Sequence, residues 1–179
     1  MTGFEIEIIF FLELNDFLPQ SKREKSIRLS QKMSRSIKDL IESMGIPHTE
    51  VGNIKLDGVP VDSSQVVSKP VRIEVYPFSI KDFRSADHLH PNEIKFLGDV
   101  HLGSLVRKLR LLGLDTVYSN KWTDLELASI SAKEDRMLLT RDRHLLMRKI
   151  IKKGLYIRST DPEMQVSEVL SRLQLRDIC

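Results

Sequence analysis

The first part of the chain alternates apolar and polar positions with a period of two, which predicts β-strands. This pattern occurs in FEIEIIF, in KSIRLSQ and in PVRIEVYP, and NIKLDGVPVD predicts a hairpin that turns at Asp57-Gly58. Between them, SIKDLIESMG has helical spacing, with Ser36 as N-cap and Gly45 as its end. The resulting order β-β-α-β-β-β predicts a small α+β domain over residues 1–78.

Further along, short apolar runs alternate with segments of helical period. Strands are predicted at EIKFLGD, DTVYS, RMLLT and LYIRS, and helices at LGSLVRKLRLLG, TDLELASISAKED, RHLLMRKIIKKG and PEMQVSEVLSRL. Strictly alternating strands and helices predict an α/β domain with a parallel sheet and right-handed crossovers, over residues 93–179. The polar, aperiodic segment SIKDFRSADHLHPN predicts a linker over residues 79–92.

Composition excludes several classes of protein. With 41% hydrophobic and 30% charged residues, the chain is typical of a globular protein. No apolar run reaches the roughly 18 residues that span a bilayer, and the N-terminus lacks the basic segment of a signal peptide. Because Cys179 is the single cysteine, an internal disulfide and a four-cysteine metal site are excluded. We therefore expect a cytoplasmic protein without membrane contact.

The positive charge is concentrated in the second half of the chain. The net charge is +3, and residues 81–179 carry 18 Lys and Arg against 14 Asp and Glu. A basic half favours a polyanionic partner such as RNA. Solvated helix faces would explain the same excess, so charge alone leaves both interpretations open.

Three aspartates follow strands of the predicted parallel sheet. Asp99 comes directly after EIKFL-Gly, Asp142 comes after RMLLT, and Asp124 opens the helix that follows DTVYS. The carboxyl ends of parallel strands form the usual ligand-binding edge, so the three carboxylates converge if their strands are neighbours. Mg²⁺ or Mn²⁺ would relieve their mutual repulsion through oxygen coordination. Each aspartate is also a favoured helix cap, and one residue can serve both purposes.

The motifs around these acids are similar to a known family. FLGDVHLGSLVRKLRLLGLDTVYSN and TDLELASISAKEDRMLLTRDRHLLMRK resemble the Mut-seven C-terminal RNase domain family, a branch of the PIN-like nucleases. The N-terminal domain resembles the ubiquitin-like β-grasp fold, which members of this family often carry. The resemblance implies a ribonuclease that hydrolyses RNA phosphodiester bonds with Mg²⁺ or Mn²⁺ held by Asp99, Asp124 and Asp142. The β-grasp domain would position RNA or a protein partner.

Several further residues are candidates for substrate binding near the same edge. Arginine suits bidentate phosphate contacts, and Arg141 and Arg143 flank Asp142. Thr140 could orient a carboxylate or a water. The other phosphate-binding candidates are Arg107, Arg110 and His101, while Tyr118 and Trp122 could either stack a base or pack in the core.

Two departures from the family pattern keep other functions open. Many PIN-like nucleases have a further acid, but between Asp99 and Asp124 this chain has only Asp115, at the opposite end of a strand. The zinc ribbon of many family members is also not expected here. One alternative is therefore a non-catalytic RNA- or ribosome-associated protein with a degenerate site. A third hypothesis is an adaptor that resembles sulfur-carrier proteins. Those carriers end in Gly-Gly, and this chain has no Gly-Gly in the stretch that begins at Tyr76, which argues against carrier chemistry.

Overall fold

The chain forms two compact units, Met1–Phe78 and Ser79–Cys179. The computed structural model describes residues 3–79 and 93–175. Nearly all of the predicted linker 79–92, and Cys179, lie outside the described residues. Within the described residues, no helix has both the length and the apolar character needed to cross a membrane.

The N-terminal unit is a mixed β-sheet with one α-helix. Its elements are β1 (Phe4–Phe10), β2 (Ile27–Gln31), β3 (Arg35–Ser36), α1 (Ile37–Ser43), β4 (Val51–Leu56), β5 (Val59–Val61), β6 (Val66–Val67) and β7 (Val71–Pro77). The main sheet has the order β2-β1-β7-β4-β5, and β3 pairs with β6. Strands β1 and β7 are parallel, whereas the other pairs are antiparallel. This arrangement confirms the predicted β-grasp fold.

The local signals in the sequence explain these elements. The alternate side chains of β1 are buried, and so is the apolar face of α1. The Ser36 hydroxyl accepts a hydrogen bond of 3.1 Å from the Asp39 backbone N–H, which caps α1. Asp57 and Gly58 have positive φ angles of 49° and 82°, the conformation that a tight two-residue hairpin requires.

The C-terminal unit is a four-stranded parallel sheet with helical connections. Its elements are β8 (Phe96–Gly98), a 3₁₀ turn (Val100–Leu102), α2 (Gly103–Leu111), β9 (Thr116–Tyr118), α3 (Asp124–Glu134), β10 (Met137–Thr140), α4 (Arg143–Leu146), β11 (Gly154–Tyr156) and α5 (Pro162–Arg172). The strand order is β11-β10-β8-β9, and every pair is parallel. The predicted α/β fold is therefore confirmed, and β8 and β10, which precede Asp99 and Asp142, are adjacent.

The helix predicted to end at Gly154 is much shorter than expected. Helix α4 ends at Leu146, and a turn leads from there to β11. Ile151 follows Leu146 by five residues, which is about 140° around a regular helix. Both side chains belong to one buried cluster. Because a continuous helix would direct them to different faces, the helix ends before Ile151 and both side chains are buried together.

Candidate active site

Asp99 is held rigidly where β8 ends. Its side chain is buried, and the residue is 6% exposed. One carboxylate oxygen, Oδ1, accepts a hydrogen bond of 2.5 Å from the Val100 backbone N–H. The other, Oδ2, accepts one of 2.5 Å from the Thr140 hydroxyl. Both oxygens are therefore oriented by neighbours on the carboxyl edge of the sheet.

Thr140 connects this carboxylate to the start of α4. It is the last residue of β10 and fully buried, and its hydroxyl also accepts a hydrogen bond of 2.9 Å from the Asp142 backbone N–H. The Asp142 carboxylate caps α4, because Oδ1 accepts hydrogen bonds from the backbone N–H groups of His144 and Leu145, at 2.7 Å and 3.2 Å. We call these three residues the Asp99–Thr140–Asp142 cluster. The capping interpretation of Asp142 is thus confirmed, and it coexists with a position in this cluster.

Asp124 has a different environment from the other two aspartates. It is the first residue of α3, and the N-cap of that helix is Thr123. Thr123 and Glu126 form a capping box, in which the side chain of each accepts a hydrogen bond from the backbone N–H of the other. The Asp124 carboxylate lies 3.8 Å from the Arg148 guanidinium, an exposed ion pair. Among residues 3–79 and 93–175, no three His, Cys, Asp or Glu side chains are placed as a group that could hold a metal ion. The catalytic roles of the three aspartates stay predictions.

The donor chemistry of the cluster nevertheless suits a hard cation. Each Asp99 oxygen accepts one hydrogen bond from the protein and retains a second lone pair. Mg²⁺ is commonly held by one or two carboxylates, with waters and substrate phosphates completing its octahedron. Asp99 and Asp142 are therefore compatible with a cation that the substrate helps to bind, although they do not form a complete protein cage.

Arg107 and Arg110, two of the residues predicted to bind phosphate, belong to helix α2. This helix runs from the carboxyl edge of the sheet back towards its amino edge. The Arg110 Nε donates a hydrogen bond of 2.7 Å to the carbonyl oxygen of Thr116, the first residue of β9. Arg110 is therefore held at the amino edge of the sheet, and the structure does not bring it to the aspartates. Arg107 is exposed on the same helix, one turn closer to its start.

Arg141 and His101 do lie on the carboxyl edge. The Arg141 guanidinium donates hydrogen bonds to the carbonyl oxygens of Arg158, at 3.0 Å, and of Ser159. These bonds tie the chain after β10 to the chain after β11, so Arg141 has a structural function in addition to any contact with substrate. His101 is exposed in the 3₁₀ turn that follows Asp99.

Tyr118, expected either to stack a base or to pack in the core, instead makes a hydrogen bond that supports this site. Its hydroxyl donates a hydrogen bond of 2.8 Å to the carbonyl oxygen of Val100, in the turn that also binds Asp99. Gly103 leaves room for the ring, since a Cβ there would lie 3.0 Å from the hydroxyl. The signal was the position of Tyr118 at the end of β9, on the same edge. Trp122 is partly buried and packs against the core, which is one of the two roles predicted for it.

The amino edge of the sheet carries a structural ion-pair network. The Arg136 guanidinium donates hydrogen bonds of 2.8 Å to Asp115 and 2.7 Å to Glu134, and it also contacts the Phe96 carbonyl oxygen. Burial lowers the pKa of Arg136, but these two carboxylates outweigh burial and raise it above the ordinary value. Asp115 is thus on the edge opposite Asp99, as expected for a structural residue.

Comparison with known families covers both units. The Mut7-C ubiquitin model matches residues 3–82, and the Mut7-C RNAse domain model matches residues 94–179. No curated protein matches the chain. Together the two models account for the β-grasp unit and the parallel-sheet unit that carries the aspartate cluster. The C-terminal unit is therefore assigned to the Mut7-C RNAse domain family, and the N-terminal unit to the Mut7-C ubiquitin domain family.

Proposed function

We propose that this protein is a ribonuclease that hydrolyses RNA phosphodiester bonds at the Asp99–Thr140–Asp142 cluster, with Mg²⁺ or Mn²⁺ as its cofactor. The match of residues 94–179 to an RNAse domain supports a nuclease-like function. The observation that carries the proposal is the Thr140 hydroxyl, which binds the buried Asp99 carboxylate and the Asp142 backbone at once. Such an arrangement preorganises acidic oxygens on the edge where parallel sheets bind ligands.

Each residue of the cluster has a separate task in this proposal. Asp99 and Asp142 contribute carboxylate oxygens to the cation, and Thr140 holds the Asp99 carboxylate in one orientation. A bound cation supplies charge neutralisation at the phosphoryl oxygens and lowers the pKa of its water. Asp124, which forms an exposed ion pair with Arg148, would act on the cation indirectly.

RNA cleavage assays on matched variants test this proposal. The full chain is incubated with labelled single-stranded RNA and with an RNA hairpin, in Mg²⁺, in Mn²⁺ and in EDTA. We expect cleavage only with a divalent cation, and a loss of about 100-fold or more in Asp99→Asn and Asp142→Asn. Asp124→Asn should lose about tenfold, as is usual for residues that act on a metal indirectly.

The matched control is Asp135→Asn, which makes the same chemical change away from the site. Asp135 follows α3 with a positive φ of 53°, a conformation that asparagine tolerates well. This variant should cleave RNA like the wild type. Cleavage that persists in EDTA, or in Asp99→Asn, would show that the proposed site is wrong.

The second candidate is an RNA-binding protein that does not cleave. It is favoured by the ion pair between Asp124 and Arg148, which leaves two aspartates instead of three in the cluster. In that case the wild type would retain RNA in a binding assay and leave it intact with either cation. Binding would also be unaffected by Asp99→Asn.

For the N-terminal unit we propose a binding role, towards RNA or a protein partner. Its match to a ubiquitin-type domain supports interaction as its function. Carrier chemistry would need a terminal Gly-Gly, and here strand β7 ends at Tyr76-Pro77 and the chain continues.

A further inference from the structure

The N-terminal unit contains a cavity between its helix and one side of its main sheet. The cavity has a volume of about 140 Å³ and is partly open to solvent. Its apolar lining consists of Ile41 from α1, Val51 and Ile54 from β4, and Val61 from β5. A cavity of about 150 Å³ holds one benzene-sized group, so this cavity has room for a single apolar side chain.

A β-bulge in β4 explains how one strand lines this cavity with two apolar side chains. The pairing of β4 with β7 shifts between Val51 and Ile54, so β4 has one extra residue there. In a regular strand, residues three apart point to opposite faces of the sheet. The extra residue of a bulge cancels this alternation, and both side chains line the cavity. Gly52, which lies within the bulge, also lines the cavity and has no side chain to fill it.

The same half of β4 extends beyond its outer neighbour. Strand β5 pairs with β4 only from Ile54 to Leu56. Val51 and Gly52 precede that stretch, and no strand in the described part of the chain pairs with them on the β5 side. Extended protein segments bind at such sheet edges through main-chain hydrogen bonds and place alternate side chains in pockets. The cavity therefore lies beside an edge that suits an extended segment.

Hydrogen bonds hold the walls of the cavity in place. The Lys38 backbone N–H donates a hydrogen bond of 2.8 Å to the Ser63 carbonyl oxygen, which ties the chain after β5 to the start of α1. The 3₁₀ turn His48–Glu50 is tied to α1 as well, because the His48 imidazole lies 2.6 Å from the Glu42 carboxylate. The cavity is therefore preformed, and this lowers the cost of ordering that binding requires.

The charges around the cavity favour an acidic protein segment. Lys38 lines the cavity, and its side chain has no hydrogen bond or ion pair with any residue that the structure describes. Asp62 also lines the cavity, but its Oδ1 accepts a hydrogen bond of 2.8 Å from the Ser64 backbone N–H within its own turn. RNA is a less suitable ligand, since residues 1–80 carry 10 Lys and Arg against 11 Asp and Glu.

We infer that this cavity is a docking site for an extended segment of a partner protein, which inserts one apolar side chain and places an acidic side chain beside Lys38. The inference rests on the binding role proposed for the N-terminal unit, and it selects a protein over RNA as the partner. It makes no use of the Asp99–Thr140–Asp142 cluster, so it stands or falls separately from the ribonuclease proposal.

A peptide titration followed by NMR tests the docking site. The probe is acetyl-Glu-Val-Leu-Val-Glu-amide, which has an acid on each side of its apolar centre, so that either chain direction brings one acid to Lys38. It is added to the isotope-labelled full chain, and the backbone amide chemical shifts are recorded. We expect the largest shifts at Gly52, Val61 and Ser63, which line the cavity.

Two related peptides separate the apolar anchor from the charge. Replacement of the central leucine by alanine should weaken binding about tenfold, because most of the apolar surface that enters the cavity is lost. The basic peptide acetyl-Lys-Val-Leu-Val-Lys-amide should bind about threefold more weakly than the acidic one, because it brings like charge to Lys38.

Matched protein variants assign the charge effect to one residue. Lys38→Ala should remove the preference for the acidic peptide and weaken its binding about threefold. Alanine is the best helix former, so α1 should be retained. Lys69→Ala makes the same change at an exposed residue outside the cavity lining, and it should bind both peptides like the wild type. Urea unfolding shows whether each variant is folded.

The outcomes separate the docking site from the general binding role. Equal affinity of the wild type for the acidic and basic peptides would overturn the inference, and so would an unchanged preference in Lys38→Ala. Shifts confined to other parts of the N-terminal unit would overturn the cavity as the site and leave the binding role intact. Shifts at Gly52, Val61 and Ser63 with a short single-stranded RNA, but with none of the peptides, would identify RNA as the ligand instead. No shift in the N-terminal unit with any of these probes would overturn both proposals.

Discussion

Thr140 is the residue on which the geometry of the aspartate cluster depends. Its buried hydroxyl donates to Asp99 and accepts from the backbone of Asp142, so a single side chain fixes two segments of the edge. Thr140→Val has nearly the same shape but leaves a buried carboxylate oxygen and a backbone N–H without partners. We expect it to lower the free energy of unfolding by about 1–3 kcal/mol and to reduce RNA cleavage.

The matched variant Thr140→Ser keeps the hydroxyl and removes one methyl group. It should lose about 1 kcal/mol from that methyl and should retain most of the cleavage activity. Urea unfolding and initial cleavage rates measure the two effects independently. Equal cleavage rates in the valine and serine variants would show that the hydroxyl does not orient Asp99.

The positions of single residues were predictable from sequence where they depend on strand ends. Asp99 and Asp142 directly follow strands, so the parallel order alone assigns them to the carboxyl edge. Arg110 was misplaced because helix α2 returns to the amino edge before it ends, where the Thr116 carbonyl accepts its hydrogen bond. The ion pair of Asp124 with Arg148 was not predictable, since it depends on where the turn after α4 directs the arginine.

Among the secondary-structure elements, β8 and α2 approach each other unusually closely at Gly98. A Cβ on Gly98 would lie 2.2 Å from the Val106 Cγ2 of α2, well below van der Waals contact. Valine is stiff at χ1 and both residues are buried, so the clash would push α2 away from the strand. The turn between these elements contains Val100, one of the two hydrogen-bond partners of Asp99, and close packing here therefore supports the site.

A double-mutant cycle tests this packing. Gly98→Ala should lower the free energy of unfolding by about 1–3 kcal/mol, as overpacked core substitutions do. In the background of Val106→Ala the same substitution should cost much less, because the colliding methyl group is gone. The coupling is measured by urea unfolding of the four proteins. Additive effects of the two substitutions would contradict a direct contact between Gly98 and Val106.

Element type was predictable throughout most of the chain, and element length was less so. Helices α3 and α5 begin at recognisable caps, Thr123 and Asp161, so their starts agree with the sequence pattern. The segment after Leu146 has helix-forming residues but belongs to a turn, because Ile151 must reach the same cluster as Leu146. Burial of one side chain thus overrides local propensity.

For the whole molecule, two different periods in the sequence correspond to two separate folds. The period-two pattern before residue 78 gives the mixed sheet, and the alternation of strands and helices after residue 93 gives the parallel sheet. Each unit has its own buried core, with Ile8 and Ile73 in the first and Leu97 and Leu138 in the second. The family models divide the chain in the same way.

This division predicts that the two units fold and act separately. A fragment of residues 1–79 and one of residues 80–179 should each unfold cooperatively in urea, because a domain with its own core is able to fold alone. Fragment 80–179 contains the aspartate cluster and should cleave single-stranded RNA with a kcat within about threefold of the full chain. A higher KM in the fragment would assign RNA binding to the ubiquitin-type unit, whereas an unchanged KM would show that this unit does not bind the RNA substrate. A fragment that is folded by circular dichroism but inactive would contradict the prediction, because the N-terminal unit would then be needed for the chemistry itself.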